Sequence, residues 1–433
     1  MKRLLLIIYC TCGLITANAQ LDFYSGGGVD LLEADYFNPS WAQLDSGITI
    51  GVASLGYQQY HSGASYRDLI SNGDQGAILD LDKLAPKLRA INHLQSTLSL
   101  QTVKAVLRKN NISVGFSHEL VLQADMSYPS GLVELYNQGN QPFIGETIDL
   151  GPSGEFMSYN AYAVQVGIDL GLVRLAVRPK LLFGHQFLAM DSRRFSVYTD
   201  PEFYQLSFDT DFEIYSNGLL RFDDLNLINY NFSGLDSWSL FSNNTGFAID
   251  LGATMVVRKW QLGLGLSDIG SMNWKDTEVY ESVKQFDYSG ISIPDVLDLE
   301  SLVVGGNLDS LRTFFDVSEK TEDVRRTLPL QFRASALYAL SDDWSFAAQA
   351  HYRKQNFTPW SFALSANYGG FKYVETSLVV AYRYEELNVG VGLNARLGKF
   401  RPFLAFENIL QGFSPTASTN FYLRAGINLG LSN

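Results

Sequence analysis

The sequence predicts an all-β protein, a closed antiparallel transmembrane β-barrel of about fourteen strands. Three observations lead to this fold. Apolar and polar residues alternate along segments long enough to cross a membrane, the connections between them are alternately short and long, and a secretion signal stands at the start. A period of two is typical of a strand whose two faces meet different solvents. The clearest apolar row closes the chain: Phe421, Leu423, Ala425, Ile427, Leu429 and Leu431.

The first element is a leader. Lys2 and Arg3 precede an apolar stretch at 4–15, and the small residues at 17–19 supply a cleavage pattern. Charge, length and cleavage site together indicate a signal peptide at 1–19, which is too short to span a membrane as a helix. The mature protein is therefore expected in the outer membrane of a Gram-negative cell.

Cysteine usage and charge exclude several classes of function. Both cysteines, Cys10 and Cys12, lie inside the leader, so the mature chain is expected to have no disulfide and no thiolate metal site. Removing the leader leaves 30 basic against 45 acidic residues, a net charge of −15. Nucleic acid is not an expected partner, because phosphate contacts need clustered Lys and Arg. Outer-membrane lipid is the expected environment.

Residues 20–47 form the second element, which is glycine-rich and then polar. Phe37 and Trp41 would be costly to leave in water, and Asn38-Pro39 indicates a turn. We predict an N-terminal plug inside the lumen or across its periplasmic mouth, with a flexible periplasmic tail as the alternative. The expected ion pairs join two sets, the acidic residues Asp22, Asp30, Glu33 and Asp35 and the inward arginines Arg353, Arg383, Arg396 and Arg424.

The remaining chain, 48–433, is expected to form the barrel. In the clearest pair of strands, 246–258 and 259–270, apolar residues on one parity oppose small or polar residues on the other. Strands of ~9–11 or more residues suit a tilted bilayer crossing, whereas sandwich strands usually have ~5–6. Further segments of this kind give an even total of fourteen: 48–60, 93–107, 111–124, 155–170, 172–188, 329–340, 343–354, 358–369, 371–384, 386–398, 399–410 and 419–431.

Connection lengths predict the orientation. Tight turns such as 258–259 alternate with longer connections, and short periplasmic turns with long external loops are the usual asymmetry of such barrels. The excursions near 189–245 and 271–328 should therefore be extracellular, and both termini periplasmic. The first should carry an extra hairpin from Phe195 to Tyr215. Counting its strands as spans gives an alternative of sixteen.

Three local expectations follow. Pro179 lies inside a predicted strand, where a closed barrel has no free edge, and so predicts a bulge. Residues 80–91 have apolar side chains at helical spacing and predict a short amphipathic helix broken near Pro86. Six alternate apolar residues of the strands should face lipid: Leu251, Val257, Leu262, Leu264, Leu393 and Ile427.

Catalytic motifs are missing from the sequence. It has five histidines but no HExxH and no GxSxG elbow. His351 and Ser345 share parity on one strand, so an outer-membrane hydrolase is an alternative, although ordinary lumen polarity explains them better. We expect no enzyme, with no catalytic, cofactor-binding or metal-binding residue.

Polar residues on the lumen parity are the candidates for contact with a plug or a polar solute. Opposite charges that face a wet interior can serve either purpose. The alternative, which we favour, is that they pair with one another across neighbouring strands. The candidates are Gln349, His351, Arg353, Glu375, Arg383, Arg396 and Arg424.

Several short motifs occur in order along nearly the whole mature chain. They are the Asn38-Pro39 turn, YTDP at 198–201, FAIDLGA at 247–253, ENIL at 407–410 and LRAGINL at 423–429. Together they resemble an uncharacterised family of Bacteroidota outer-membrane proteins, known as a domain of unknown function. That family is similar in architecture to the long-chain fatty-acid porins and to the barrel subunits of type IX secretion. The resemblance implies fourteen strands and an N-terminal hatch, and brings no catalytic residue.

These observations favour a non-enzymatic outer-membrane barrel that docks other proteins, binds at the cell surface or assists secretion. The long excursions support this interpretation over the main alternative, a transporter of hydrophobic or amphipathic solutes. A docking subunit needs a blocked lumen and ordered external loops, and its partners would be other envelope or secreted proteins. A transporter needs an apolar pocket beside the plug.

Overall fold

The computed structural model of the chain describes residues 32–41, 47–73, 76–79, 81–224, 227–230, 240–288, 315–354, 358–406, 408–409 and 418–431. The predicted signal peptide, 1–19, lies outside the described residues and stays a prediction. The expected plug, 20–47, is described only in part. Among the described residues, no helix is both long and apolar enough to cross a membrane.

Fourteen strands form a closed antiparallel barrel. Their bounds are β1 Gly47–His61, β4 Ile91–Lys109, β5 Ile112–Pro129, β7 Ser153–Asp169, β8 Val173–Thr199, β12 Asn244–Val257, β13 Trp260–Tyr288, β15 Gln331–Ala339, β16 Trp344–Arg353, β17 Trp360–Tyr368, β18 Val374–Arg383, β19 Glu386–Ala395, β20 Phe400–Phe406 and β21 Asn420–Leu431. β1 closes the barrel, because Ile48 pairs with Leu431 of β21 on one side and with Leu107 of β4 on the other. Each predicted span overlaps one strand, so the predicted fourteen-stranded antiparallel barrel is confirmed.

Shorter elements lie in the connections. The additional strands are β2 Ile70–Gly73, β3 Gly76–Leu79, β6 Thr147–Asp149, β9 Leu206–Asn217, β10 Leu220–Asp224, β11 Leu227–Tyr230 and β14 Ser318–Thr327. The α-helices are Tyr66–Leu69, Leu81–Leu84 and Ser130–Gln138, and the 3-10 helices are Leu32–Tyr36, Pro39–Trp41, Ala85–Lys87 and Gln141–Phe143.

The outer surface of the barrel is apolar. The six side chains expected to face lipid are indeed on this surface, with exposed fractions between 36 and 55 %. Aromatic pairs cover both ends of the strands. Trp344 lies 4.8 Å from Tyr368 at the tight-turn end, and Tyr352 lies 5.0 Å from Trp360 at the other. An apolar band between aromatic girdles is the surface of a barrel embedded in an outer membrane.

One side of the barrel continues beyond the membrane band as a raised sheet. It consists of the far ends of β8 and β13 together with β9 and β14. β9 pairs with β8 from Leu188 to Thr199, which confirms the hairpin expected between Phe195 and Tyr215. β9 also pairs with β13, and the barrel closes without it. The alternative of sixteen spans is therefore wrong.

Two local expectations need correction. The bulge predicted at Pro179 is absent: β7 and β8 keep one register through Ala163–Lys180 and Val166–Val177, and the ladder merely loses its bonds beside the proline. The register shifts instead at Ser158 and Tyr159. The predicted helix at 80–91 is shorter than expected, with one α-helical turn followed by the 3-10 helix that contains Pro86.

Candidate functional site

Residues 32–41, called the internal segment below, lie inside the barrel. Two 3-10 turns join at Phe37 and Asn38, and the Phe37 ring stacks on Trp41 at 5.3 Å. Its N–H groups bond within the segment, for example from Phe37 to the Ala34 carbonyl. Bonds to the barrel involve side chains instead. The segment is therefore a folded insert rather than an additional strand.

Glycines on two neighbouring strands make room for the internal segment. A Cβ atom at Gly252 would lie 2.3 Å from Asn38 Oδ1, and one at Gly265 would lie 2.5 Å from the Phe37 carbonyl oxygen. Both distances are too short for any other residue. The alternation of β12 and β13 places these glycines inward, so the segment approaches the strand backbone closely.

Asn38 fixes the turn of the internal segment against β12. Its Nδ2 donates to the Ala253 carbonyl at 2.9 Å, and its Oδ1 accepts from the Ser40 backbone N–H at 3.0 Å. The Ser40 hydroxyl lies 2.5 Å from the hydroxyl of Thr254. From β7, Gln165 donates to the Pro39 carbonyl at 2.6 Å.

A buried ion-pair network holds the segment at its acidic residues. Asp35 pairs with Lys104 of β4 and, at 3.3 Å, with Arg178 of β8. The exposed fractions of these side chains are 0, 3 and 6 %. Arg178 also pairs with Asp250 at 2.8 Å, and Lys180 bridges Asp250 and Asp268 at 2.7 and 2.8 Å. Low exposure makes the loss of one partner costly.

Tyr36 lies among cations in the same layer. Its ring centroid is 4.3 Å from the Arg424 guanidinium carbon and 4.8 Å from Lys104 Nζ. Arg333 donates to the Tyr36 carbonyl at 2.9 Å, and the Tyr36 hydroxyl donates to Gln101 at 2.9 Å. The ring thus adds cation–π attraction to the ion pairs.

The acidic residues of the segment have closest partners that were not predicted. Glu33 accepts from Asn428 at 2.7 Å, and Asp35 meets Lys104 and Arg178. Asp22 and Asp30 lie outside the described residues. Of the predicted arginines, Arg424 contacts the segment: it lies over the Tyr36 ring, and its charge also attracts Glu33, which is one of the predicted pairings.

The other predicted arginines meet other groups. Arg353 donates to Gln123 across the lumen at 3.4 Å. Arg383 lies over Tyr384 and Tyr422, at 5.9 and 5.8 Å. Arg396 is half-exposed and pairs with Glu375, the cross-strand pairing that the sequence favoured. Their functional role stays a prediction.

The polar row on β16 belongs to the inner barrel wall. Gln349 and His351 are buried, and His351 Nε2 lies 3.2 Å from Gln331 Oε1. Ser345 accepts from Asn367 at 3.2 Å. Six residues of one strand separate Ser345 from His351, roughly 20 Å along the strand, so this Ser–His pair does not assemble. Within the described ranges, no three His, Cys, Asp or Glu side chains gather as a metal site.

Sequence reasoning missed the residues that hold the segment, above all Lys104, Arg178 and Asp250. A signal was present for two of them, since Arg178 and Asp250 are charged and lie on the small or polar parity of strands whose other parity is apolar. Lys104 shares the parity of Leu98 and Leu100, and a bulge between Gln101 and Val103 turns it inward. A charge on the lumen parity at mid-strand is buried unless water fills the barrel. Such a charge therefore needs a partner inside.

The barrel interior between the internal segment and the raised sheet, called the upper lumen, is packed with apolar side chains on one side. Phe187 stacks on Trp274 at 5.0 Å, and Arg326 lies over the Phe187 ring at 5.7 Å. This apolar side is built by Met157, Tyr159, Leu182, Phe187, Met272 and Trp274, all buried.

The opposite side of the upper lumen is polar. The Tyr384 ring stacks on Tyr60 at 4.0 Å, and its hydroxyl donates to Gln95 at 2.5 Å. Gln58 also bonds to that hydroxyl. The upper lumen is therefore amphipathic in cross-section.

A recess lies at the tight-turn end of the barrel, on the other side of the internal segment. The recess is shallow, and Ser40 of the segment lines it with Arg108 of β4, Ser113 of β5 and Arg174 of β8. The segment thus forms part of the wall of this recess.

A protein-family model described as "Family of unknown function (DUF5723)" matches residues 42–407. The chain belongs to this family. Membership in DUF5723 confirms the resemblance to a family of unknown function. An origin in Bacteroidota and a relation to type IX secretion stay predictions. Among curated protein sequences, none matches this DUF5723 protein.

Three solved structures are similar to this chain over most of its length. The toluene transporter TbuX of Ralstonia pickettii is 10 % identical, with 96 % of this chain and 98 % of that chain covered at a TM-score of 0.45. A FadL homologue of Pseudomonas aeruginosa is 10 % identical, with 93 and 95 % covered and a TM-score of 0.45. The toluene transporter TodX of Pseudomonas putida is 9 % identical, with 95 and 96 % covered and a TM-score of 0.42.

Proposed function

We propose that the protein is a passive route for hydrophobic or amphipathic solutes across the outer membrane, opened when the internal segment leaves its seat. The position of residues 32–41 supports this function. They lie between the upper lumen and the recess at the tight-turn end, on the line a solute would follow. Side-chain hydrogen bonds and ion pairs hold them, and such contacts exchange more readily than a strand ladder.

The lining supports the class of solute. On the apolar side, Phe187 and Trp274 stack on each other, so a bound hydrocarbon would exchange one apolar contact for another. On the polar side, Tyr384 and Gln95 offer hydrogen bonds. A solute with one apolar and one polar face satisfies both sides, whereas a small ion gains nothing from the apolar side.

We further propose that the tight turns and both termini are periplasmic and that the raised sheet is extracellular. The sheet rises at the end of the barrel that carries the longer connections, which is the external end in proteins of this class. A solute would then enter beside the raised sheet, pass the internal segment and leave through the recess.

A reversible lock tests the route. Ser40→Cys with Thr254→Cys joins the segment to β12, because the two hydroxyls lie 2.5 Å apart and a disulfide needs only a small adjustment. Both cysteines of the sequence lie in the predicted leader, so no other thiol is expected to interfere. The assay measures entry of N-phenyl-1-naphthylamine, a neutral dye that fluoresces in apolar surroundings, into cells that express the protein.

Expression of the unmodified protein should speed dye entry, the oxidised lock should abolish the gain, and a reducing agent should restore it. The matched control is Ser345→Cys with Asn367→Cys, which joins β16 to β17 and leaves the segment free. Equal dye entry through the oxidised and reduced locks would contradict the proposed route.

The raised sheet supports a second candidate function, docking of an envelope or secreted protein. At the tip of its β8–β9 hairpin, Phe203 and Tyr204 are 79 and 62 % exposed. Asp200 Oδ1 accepts from the Glu202 and Phe203 N–H groups at 2.8 and 2.7 Å, so the tip has a defined shape. Hydrogen bonding from Tyr215 and the Arg193 guanidinium hold the pKa of Glu213 on β9 below its usual range, so this carboxylate stays ionised.

Docking predicts a complex larger than the barrel. On native gels of mildly solubilised membranes, the unmodified protein should migrate as a complex, and Phe203→Ser with Tyr204→Ser should migrate as the barrel alone. Unmodified protein that already migrates as the barrel alone would exclude stable docking at this tip.

A further inference from the structure

The tight-turn end of the barrel is basic, although the protein as a whole is acidic. Six tight turns connect neighbouring strands at this end, from 110–111 between β4 and β5 to 396–399 between β19 and β20. Taken with three strand residues on either side, these turns contain nine basic and four acidic residues, a net charge of +5. The whole chain has a net charge of −13. The positive charge is therefore a local property of this end.

Most of the cations at the tight turns have no carboxylate partner among the described residues. Arg108 and Arg174 share Asp169 at 2.8 and 3.0 Å, and Arg396 pairs with Glu375. Five other cations are exposed and form no ion pair within the described ranges. These five are called the basic rim, which consists of Lys109, Arg258, Lys259, Lys372 and Lys399.

Exposed aromatic side chains lie beside the basic rim on the outer surface of the barrel. Trp260, which is 49 % exposed, directly follows Lys259. Lys372 Nζ lies 5.0 Å from the ring centroid of Tyr373, which is 52 % exposed. Tryptophan and tyrosine rings at the ends of membrane-spanning strands lie at the level of the lipid headgroups, and the long lysine side chain carries its charge to the same level. The basic rim is therefore placed to meet lipid phosphates.

The basic rim extends around much of the barrel. Its cations lie on the turns between β4 and β5, β12 and β13, β17 and β18, and β19 and β20. The turn between β15 and β16 interrupts it with Asp342 and Asp343. A compact protein partner would cover one part of this circumference, whereas a lipid leaflet surrounds all of it. The distribution of the charges thus favours lipid over protein as the partner.

We infer that the basic rim binds the anionic headgroups of phospholipids in the inner leaflet of the outer membrane. This inference rests on the proposed orientation, in which the tight turns are periplasmic. Charge complementarity supports it, because a headgroup such as phosphatidylglycerol is an anion and the rim presents cations without carboxylate partners at the same level. One cation near a membrane surface strengthens the binding of an anionic lipid about fivefold.

A tryptophan beside the basic rim can report which lipid surrounds it. Trp260 follows Arg258 and Lys259 in the chain, whereas Trp41 and Trp274 are buried and give a constant background. The full barrel is placed in phosphatidylcholine nanodiscs that contain a small fraction of brominated phosphatidylglycerol or brominated phosphatidylcholine. Bromine high on the acyl chain quenches a neighbouring indole. The other three tryptophans are removed by Trp238→Phe, Trp344→Phe and Trp360→Phe.

Brominated phosphatidylglycerol should quench Trp260 as though it were about fivefold more concentrated beside the ring than brominated phosphatidylcholine. Arg258→Gln with Lys259→Gln should make the two lipids quench about equally. Salt at 1 M should have the same effect, because the Debye length falls to about 3 Å. The matched control, Lys87→Gln with Lys354→Gln, removes two exposed cations from the opposite end of the barrel and should keep the preference.

The outcomes separate this inference from the proposed route and orientation. Equal quenching by the two brominated lipids, or the same preference in the rim variant and its control, would overturn the lipid site, and the disulfide lock would still test the route. A periplasmic protein that copurifies with the unmodified barrel but not with the rim variant, at unchanged lipid preference, would assign the rim to a protein instead. If protease cuts intact cells at the Arg258 turn, the orientation fails and the inference fails with it.

Discussion

Neutralising Asp35 should weaken the seat of the internal segment more than any other single change. Asp35 is fully buried between Lys104 and Arg178, and Asp35→Asn keeps its shape while removing its charge. In the released state, residue 35 is in contact with water and Lys104 has no partner from the segment, both in the unmodified protein and in the Asp35→Asn variant. The variant therefore acts on the seated state alone.

The magnitude follows from the burial of the pair. Breaking a buried ion pair costs roughly 3–5 kcal/mol, and we take the lower end because Asn retains hydrogen bonding. At 1.4 kcal/mol for each factor of ten, about 3 kcal/mol raises the released-to-seated ratio about a hundredfold.

Ala34 of the segment is 3 % exposed, so a cysteine placed there by Ala34→Cys reacts with a maleimide only after release. The labelling rate reports this ratio when release is faster than labelling. The rate should rise about a hundredfold when Asp35→Asn is added. The matched control is Glu385→Gln, which breaks an exposed ion pair with Arg89 at 2.9 Å and should leave the rate unchanged. An increase below about threefold would refute the reasoning, because the ion pair would then contribute almost nothing to the seat.

Three further predictions concern the seat of the internal segment, the closure of the lumen and the orientation of the barrel. Gly252→Ala should speed labelling of the segment, since its Cβ would meet Asn38 at 2.3 Å, whereas Gly369→Ala, with no neighbour nearer than 3.9 Å, should not. Deleting residues 32–41 should raise single-channel conductance in planar bilayers. Equal conductance of the truncated and full-length proteins would favour the alternative, a periplasmic tail that does not obstruct the lumen. Protease added to intact cells should cut near Phe203 and spare the turn at Arg258, and cutting at the turn alone would reverse the topology.

The strands of the barrel could be predicted because the two faces of each strand meet different surroundings. Alternation marks such a segment wherever one face meets lipid and the other meets polar groups. The same rule explains why the end of one strand was predicted wrongly. β13 was expected to end at residue 270 but continues to Tyr288, because its outer half leaves the membrane band and joins β9 and β14.

The contacts of the internal segment could not be predicted in the same way. The alternation along a strand indicates which face a side chain occupies. It indicates neither the height of that side chain in the lumen nor the residue that lies opposite it across the barrel. Those depend on register, which shifts at bulges such as the one between Gln101 and Val103 of β4, just before Lys104. Arg353, Arg383 and Arg396 were therefore expected to hold the segment together with Arg424, whereas Lys104 and Arg178 do so together with Arg424.

The central claim is that the internal segment closes a route through the barrel and opens it by moving. The most direct test is the single-channel current of Ser40→Cys with Thr254→Cys in a planar bilayer, recorded in one membrane before and after a reducing agent is added. We expect a low, steady current while the disulfide is intact and transitions to a higher conductance after reduction, with none in the Ser345→Cys/Asn367→Cys control. A current that reduction leaves unchanged would show that the segment does not control passage.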